Sequence, residues 1–118
     1  MQPVEINAGT WYLRALRADD RVTDVPALSD LGVDDPTEYI AGANRMWASE
    51  SGYVWAVCEP TTGELVALIG VRTAPSRLVG RARPGRGDAL EAARAPVRRF
   101  AEGALGLTMP TELVDDIS

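Results

Sequence analysis

Alternation of apolar and polar positions predicts a first strand near the start of the chain. Residues 10–16 alternate bulky apolar with polar side chains, as a half-buried strand does. Asp19 and Asp20 then offer capping groups for a helix over residues 22–28. Pro26 limits that helix to a turn or two, because proline inside a helix removes a hydrogen bond. We therefore predict a strand followed by a short helical segment and a loop.

The most complete helix signal covers residues 36–48. Asp35 is a suitable N-cap, Pro36 fits the first helical position, and Glu38 stands three residues after the cap. Apolar positions that share one helical face then follow: Tyr39, Ile40, Ala43, Met46 and Trp47. We expect this face to pack in the core, although its aromatic residues could also line a ligand site.

Two apolar segments, residues 53–58 and 65–72, predict a β-hairpin around the turn sequence PTTGE. Gly63 in that turn can adopt positive φ. Because the two strands are apolar almost throughout, we expect helices on both faces of the sheet and this hairpin at its centre. Cys58 is then a buried strand residue, without a nearby basic group to activate its thiol.

The third part of the chain predicts a short strand, a glycine-containing loop and a helix. Residues 77–82 form the strand and residues 82–88 the loop, and the helix begins at Ala89 and stops at Gly106. Pro96 lies within that helix, where proline costs about 3 kcal/mol. We expect either a kink or two short helices that meet near Ala95.

Composition limits the class of protein. A chain of 118 residues with 46% hydrophobic and 25% charged residues fits one globular domain over residues 1–118. One cysteine and no histidine exclude an intrachain disulfide and histidine chemistry, and we expect no metal site and a cytoplasmic location. The N-terminus does not resemble a signal peptide, and the longest apolar run, residues 65–71, is too short to span a membrane.

Charge is segregated along the chain. Residues 1–76 carry 5 arginines against 11 acidic residues, whereas residues 77–107 carry 7 arginines against 3. All 12 basic residues are arginine, which suits bidentate phosphate contacts but can also reflect base composition. The basic segment contains the glycine loop and the helix after it.

The loop RPGRGDA, residues 83–89, has two interpretations. Its glycines and the unpaired N–H groups of the next helix could bind a pyrophosphate, with charge from Arg86 and Arg83. Asp88 opposes that interpretation because a carboxylate repels phosphate, unless it caps the helix at Ala89. The other interpretation is a solvated surface turn.

The order of these elements resembles the GNAT superfamily of acyl-CoA-dependent N-acetyltransferases, and the branch that acetylates ribosomal-protein N-termini looks closest. The segments that carry the resemblance are WYLRALRADD, YVWAVCEPTTGELVALIGV and GRGDALEAARAPVRRFAEGALGL, residues 11–20, 53–71 and 85–107. The resemblance implies an α/β fold with a mixed, mostly antiparallel sheet flanked by helices. It also implies acetyl-CoA as co-substrate and direct acetyl transfer to an amine.

Carried onto this sequence, the family's cofactor loop covers Arg83, Gly85, Arg86, Gly87, Asp88 and Ala89. Gly87 and Ala89 match the last two fixed places of the motif, whereas Pro84 stands where the family has Gln or Arg. The family's fourth strand corresponds to residues 77–82, which contain no glutamate. Only TMPTELVDDIS follows Leu107, so the sheet is expected to be incomplete at its C-terminal side.

No catalytic residue matches a family position. Glu64, Glu50, Tyr53 and Tyr39 are conceivable acid or base groups. We therefore expect an N-acetyltransferase acting on a small-molecule or peptide amine, or a catalytically silent module that binds acyl-CoA or a protein partner.

Two expectations concern partners. Nucleic acid is not expected, because acidic residues interrupt the basic segment and Phe100 is its only aromatic residue. Self-association or a partner protein is expected, because a sheet that stops near residues 77–82 leaves Leu78 and Val79 on an open edge. The same truncation leaves the apolar face of the last helix short of a partner.

Overall fold

The computed structural model describes residues 1–117 as one six-stranded sheet with three helices. The elements in chain order are β1 Ile6–Ala8, β2 Trp11–Arg14, α1 Val25–Asp30, α2 Pro36–Ser49, β3 Gly52–Cys58, β4 Leu65–Thr73, β5 Ser76–Ala82, α3 Gly87–Gly103 and β6 Leu113–Val114. None of the helices in residues 1–117 is long and apolar enough to cross a bilayer.

Strands lie in the sheet in their chain order. β1 to β5 are antiparallel neighbours, and β6 joins β5 in parallel. Every residue of β3 is buried, and so are the first seven of β4. The central hairpin predicted from the apolar segments is confirmed, because α1 and α2 cover one face of the sheet and α3 the other.

Helix α2 forms as its sequence predicts and ends one residue later. The Asp35 carboxylate accepts a hydrogen bond from the Glu38 N–H at 3.2 Å, which caps the first turn. Trp47 is 1% exposed and donates from its indole nitrogen to the Val54 carbonyl at 3.1 Å. Much of this face is therefore core, as expected, and Tyr39 lines a cavity that is described below.

Helix α3 differs from its prediction in three details, and one of them is its end, which lies at Gly103 instead of Gly106. It begins at Gly87 instead of Ala89, and it continues through Pro96 as one helix of 17 residues instead of two short ones. The packed face explains this continuity, because it bears fully buried side chains on both sides of the proline: Ala89, Ala93, Val97 and Ala101. Burial on both sides offsets the roughly 3 kcal/mol that an internal proline costs.

The open edge expected at β5 does not exist, which corrects the sequence prediction. Leu78 pairs with Leu113 and Val79 with Val114, and both β5 residues are at most 2% exposed. The face of α3 is likewise packed against the sheet. The segment after Leu107 thus adds a strand of two residues beside Leu78 and Val79. Self-association loses the reason that was given for it at these two residues and stays a prediction.

A buried ion pair fastens β2 to the start of α1. Arg14 donates two hydrogen bonds to the Asp24 carboxylate, each at 2.9 Å, and a third to the Gly63 carbonyl at 3.2 Å. Burial is the largest single influence and would lower the pKa of Arg14, but the hydrogen bonds and charge of Asp24, together with smaller contributions from Cys58 and Tyr12, raise that pKa. Removing one partner would leave an uncompensated buried charge, so the pair fixes this end of the sheet.

Candidate functional site

The predicted cofactor loop lies between the end of β5 and the first turn of α3. Gly85 has φ of 78°, a conformation that glycine adopts without strain. Arg86 holds the N-cap position, and its side chain forms no capping hydrogen bond. The first N–H groups of a helix have no partner within it, so those of Gly87 and Asp88 remain available to a ligand. A Cβ placed on Gly87 would meet no atom within 4 Å, which shows open space at this turn.

A cavity of about 460 Å³ opens beside this turn, and we call it the loop cavity. Its lining residues are Asp30, Glu64, Val66, Arg83, Pro84 and Arg86. Arg83 forms ion pairs with Glu64 and, at 2.5 Å, with Asp30, and it also donates to the Leu65 carbonyl. The hydrogen bond with Glu64 is the main reason that the pKa of Arg83 is raised. Both carboxylates of the loop cavity are thus bound by one arginine.

Arg86 has a different environment. Its guanidinium lies over the Trp11 ring, 5.4 Å from the ring centroid, within the range of a cation–π contact. In the described part of the chain it forms no ion pair or hydrogen bond with a carboxylate. The loop cavity therefore contains one neutralised arginine and one arginine whose charge is not compensated.

A second cavity of about 460 Å³ lies on the α1 and α2 face, and we call it the acidic pocket. Its lining residues are Gly32, Val33, Asp34, Asp35, Glu38, Tyr39, Arg81, Asp116 and Ile117. The Tyr39 hydroxyl donates to the Ile117 carbonyl at 2.5 Å, and burial raises the pKa of Tyr39. Carboxylates outnumber basic groups in this pocket, which favours a cationic ligand.

The acidic pocket adjoins the place where β5 and β6 stop pairing. The two strands pair at two positions, and within residues 1–117 no ladder pair follows. Arg81 then binds the Asp115 carboxylate at 2.7 Å and the Leu31 carbonyl at 2.8 Å. Gly80 precedes it, and a Cβ there would lie 2.7 Å from the Leu68 carbonyl and 2.9 Å from Leu90. Glycine at this position lets α3 pack closely on β5.

The six residues predicted to bind a cofactor lie together in the loop and the first turn of α3, but in different environments. Ala89 is fully buried against the sheet, and Asp88 is exposed. The alternative that Asp88 caps the helix is wrong, because Arg86 occupies the cap and Asp88 already lies in the first turn. Whether these residues bind a cofactor stays a prediction.

The candidate acid and base residues are not brought together. The register places Glu64 at the sheet end where α3 begins and Glu50 at the other end, because Gly52 pairs with Arg72. Tyr53 is 3% exposed and packs edge-on against Trp47, so it is a core residue. Tyr39 lies in the acidic pocket.

Sequence reasoning missed three residues at these cavities: Trp11, Asp34 and Asp116. The charge pattern of TELVDDIS could have indicated Asp116, since the apolar pair Leu113 and Val114 precedes two acids. Residues 1–117 contain no group of three or more potential metal ligands. Cys58 is free and buried, and burial raises its thiol pKa to about 11, which makes it unreactive.

No protein-family model and no curated protein matches the sequence. Solved structures do match. A Vibrio cholerae protein assigned as a ribosomal-protein-serine acetyltransferase superposes with a TM-score of 0.74 at 18% identity, over 90% of this chain and 71% of the other. A second structure assigned as an acetyltransferase gives 0.69 at 16% identity, over 88% and 69%.

An acetyltransferase from Agrobacterium tumefaciens str. C58 gives a TM-score of 0.60 at 23% identity, over 91% of this chain and 70% of that one. At these identities the likeness establishes a shared fold. The predicted GNAT-like fold is therefore confirmed: a mixed, mostly antiparallel sheet flanked by helices, which spans about seven-tenths of the three solved chains.

Proposed function

We propose that this protein binds acetyl-CoA and transfers its acetyl group to an amine. The observation that carries the proposal is the position of the loop at residues 83–86, in a fold shared with solved acetyltransferases. The loop leads from β5 into the first turn of α3, at the sheet end where β5 and β6 stop pairing. The proposal includes a cytoplasmic location, since the one cysteine is free and buried.

The cofactor's pyrophosphate is proposed to bind at the first turn of α3. There the free N–H groups of Gly87 and Asp88 and the helix dipole favour an anion. Open space over Gly87 lets the phosphate approach the backbone closely. The pantetheine arm would extend along the gap beyond the paired residues of β5 and β6. The proposed pyrophosphate site and the end of the β5–β6 pairing lie at the same end of the sheet. This arrangement supports acyl-CoA over a nucleotide alone.

The acceptor amine is proposed to bind in the acidic pocket. Its carboxylates attract a cationic amine, and one of them has to take a proton, because the chain contains no histidine. Asp34 is the best placed to attract the cation, since it is exposed in the pocket and forms no ion pair or hydrogen bond within residues 1–117. The neutral amine nitrogen attacks the thioester carbonyl carbon, the C–N bond forms, the C–S bond breaks, and CoA leaves as the thiolate.

A catalytically silent acyl-CoA-binding module is the second candidate. It is favoured by Asp88, which sets a carboxylate beside the proposed phosphate site, and by the short pairing of β5 with β6. The two candidates share the cofactor site and differ in turnover, because general acid–base assistance is worth about 10²–10⁴-fold.

Calorimetry with CoA and a thiol-release assay with acetyl-CoA test the proposal together. Acceptors are peptides with free N-termini, spermidine and an uncharged amine. We expect CoA binding and amine-dependent thiol release that is greatest with cationic acceptors. Binding without release with any acceptor would support the silent module, and absence of CoA binding would overturn both candidates.

A further inference from the structure

We propose that Trp11 positions Arg86 as the phosphate-binding arginine of the loop, whereas Arg83 is a structural clamp. This inference rests on the proposed function and assigns different roles to two arginines that the sequence analysis places in the same cofactor loop. They are three residues apart and line the same cavity. Their partners differ in kind, and that difference decides which one can bind an anion.

Arg83 already forms ion pairs with two carboxylates. It bridges Asp30, at the end of α1, and Glu64, at the start of β4, and its side chain is 22% exposed. A phosphate could bind this guanidinium only in competition with two anions that are already in contact with it. It would also approach their negative charges closely. Arg83 therefore joins the loop to α1 and β4 and adds no net positive charge to the cavity.

Arg86 is held by an aromatic ring. An aromatic face attracts a guanidinium through its quadrupole, but it neither cancels the charge nor occupies the N–H donors in the guanidinium plane. The 5.4 Å contact with Trp11 thus orients Arg86 while its N–H groups stay available for a bidentate phosphate contact. A carboxylate in the place of Trp11 would orient the arginine equally well and neutralise it.

The sheet register explains why Trp11 is available for this contact. Tyr12 pairs with Cys58, so Trp11 lies at the end of β2 nearest the hairpin turn and the start of α3. Trp11 packs partly against the core on the α3 face. One side of its ring is thus fixed by the protein, and Arg86 lies over the ring beside the open N–H groups of α3.

The test compares CoA with pantetheine, which lacks the phosphates, by calorimetry on the full chain. Arg86→Ala should weaken CoA binding about tenfold or more, the scale of a charge-assisted hydrogen bond, and leave pantetheine binding unchanged. Trp11→Leu should weaken CoA binding about threefold through loss of the cation–π contact, and Trp11→Phe should restore most of it. Arg99→Ala, on the exposed side of α3, is the matched control.

Replacing Arg83 together with both of its carboxylate partners tests the second part of the inference, the structural role of Arg83. The triple variant Arg83→Met, Asp30→Asn, Glu64→Gln should bind CoA within about twofold of wild type and melt at a lower temperature. An equal loss of CoA affinity in this variant and in Arg86→Ala would overturn the division of roles. So would a folded Trp11→Leu protein with unchanged CoA affinity. Failure of wild type to bind CoA would overturn the proposed function as well.

Discussion

The loop cavity and the acidic pocket have the same volume but differ in charge: two arginines balance two carboxylates in the first, whereas four carboxylates face one arginine in the second. In the loop cavity, Arg83 binds both carboxylates and Arg86 stays uncompensated. Among residues 1–117, Arg81 is the only basic residue that lines the acidic pocket, and it binds Asp115. The strand end at residues 81–83 therefore separates a cavity that has one arginine without an ion pair in the described part of the chain from an acidic pocket.

The comparison shows how charges that are segregated along the sequence are distributed between the two cavities of the fold. Three arginines of the basic segment pair with acids from the rest of the chain. Arg86 and Asp34, which form no ion pair within residues 1–117, have opposite signs in the two cavities. An acyl-CoA and a cationic amine need opposite potentials, and a short distance between them brings the reactants together. The two cavities should therefore respond differently to the same kind of substitution.

The largest expected effect is a steric block at the loop cavity. Gly87→Val should abolish CoA binding, because the branched side chain fills the open space in which the phosphate approaches. The fold should persist, since a Cβ meets no protein atom there and valine has a higher helix propensity than glycine. Gly103→Val, also open and at the other end of α3, is the control. Calorimetry that gives equal affinities for the two variants would contradict the assignment of the site.

The next largest expected effect is a loss of stability at high pH, which comes from Cys58 in strand β3. The pKa of Cys58 is raised by burial from 9.0 to about 11, so the unfolded chain loses its proton first as pH rises. The stabilisation is complete below pH 9 and is lost up to about pH 11, by roughly 3 kcal/mol. Tyr39, whose pKa is also raised by burial, acts in the same direction at higher pH.

Urea denaturation at pH 8 to 11 measures this loss, with Cys58→Ala as the comparison. The free energy of unfolding of the variant should fall less between pH 8 and 11 than that of the wild type, whatever its absolute stability. Parallel curves would mean that the thiol does not titrate as described. The measurement also sharpens the comparison of the cavities, because binding data above pH 9 would otherwise mix unfolding with local titration.

At the acidic pocket we expect an effect on the acceptor alone. Asp34→Asn should raise the KM for a cationic amine about fivefold, corresponding to roughly 1 kcal/mol for one exposed charge, and leave CoA affinity unchanged. High salt should reduce the difference. Asp20→Asn, exposed and outside both cavities, is the control. An equal KM increase for an uncharged amine would contradict the electrostatic role of the pocket, and a large fall in kcat would identify Asp34 as the base.

The smallest expected effect concerns the carboxylate beside the loop cavity. Asp88→Ala should tighten CoA binding about threefold, because it removes a negative charge from the first turn of α3. It should also lower the melting temperature slightly, since acidic residues stabilise a helix N-terminus by about 0.3–1 kcal/mol. Calorimetry and a thermal melt on the same sample measure both. Weaker CoA binding would indicate that Asp88 contacts the ligand through its helix position instead of repelling it.

The sequence predicted those elements whose signals are local. Helix α2 has a cap, a proline at its first position and an apolar face, and β3 and β4 have long apolar runs around a glycine turn. Each signal lies within the element itself, so no knowledge of distant partners was needed. The GNAT-like order of elements followed from the same segments.

The missed features depend on distant partners. β6 has only two residues, and what makes it a strand is its pairing with β5 across the whole of α3. The single helix through Pro96 depends on burial against the sheet. The cation–π contact joins Trp11 to Arg86, 75 positions along the chain, and no spacing rule indicates it. The sequence thus predicted the loop of the candidate site, whereas the charge balance of the site could be determined only from the fold.

The chain order of β1 to β5 has a consequence for the order in which regions open. Each of the strands β2 to β4 is paired with antiparallel neighbours on both sides, whereas β6 is held by two pairs on one side. Amide hydrogen exchange should therefore be slowest at β3 and β4 and fastest among the strands at β6. Local opening of β6 would expose the acidic pocket further and leave the loop cavity unchanged, so the acceptor side is the part of the molecule that can open without global unfolding.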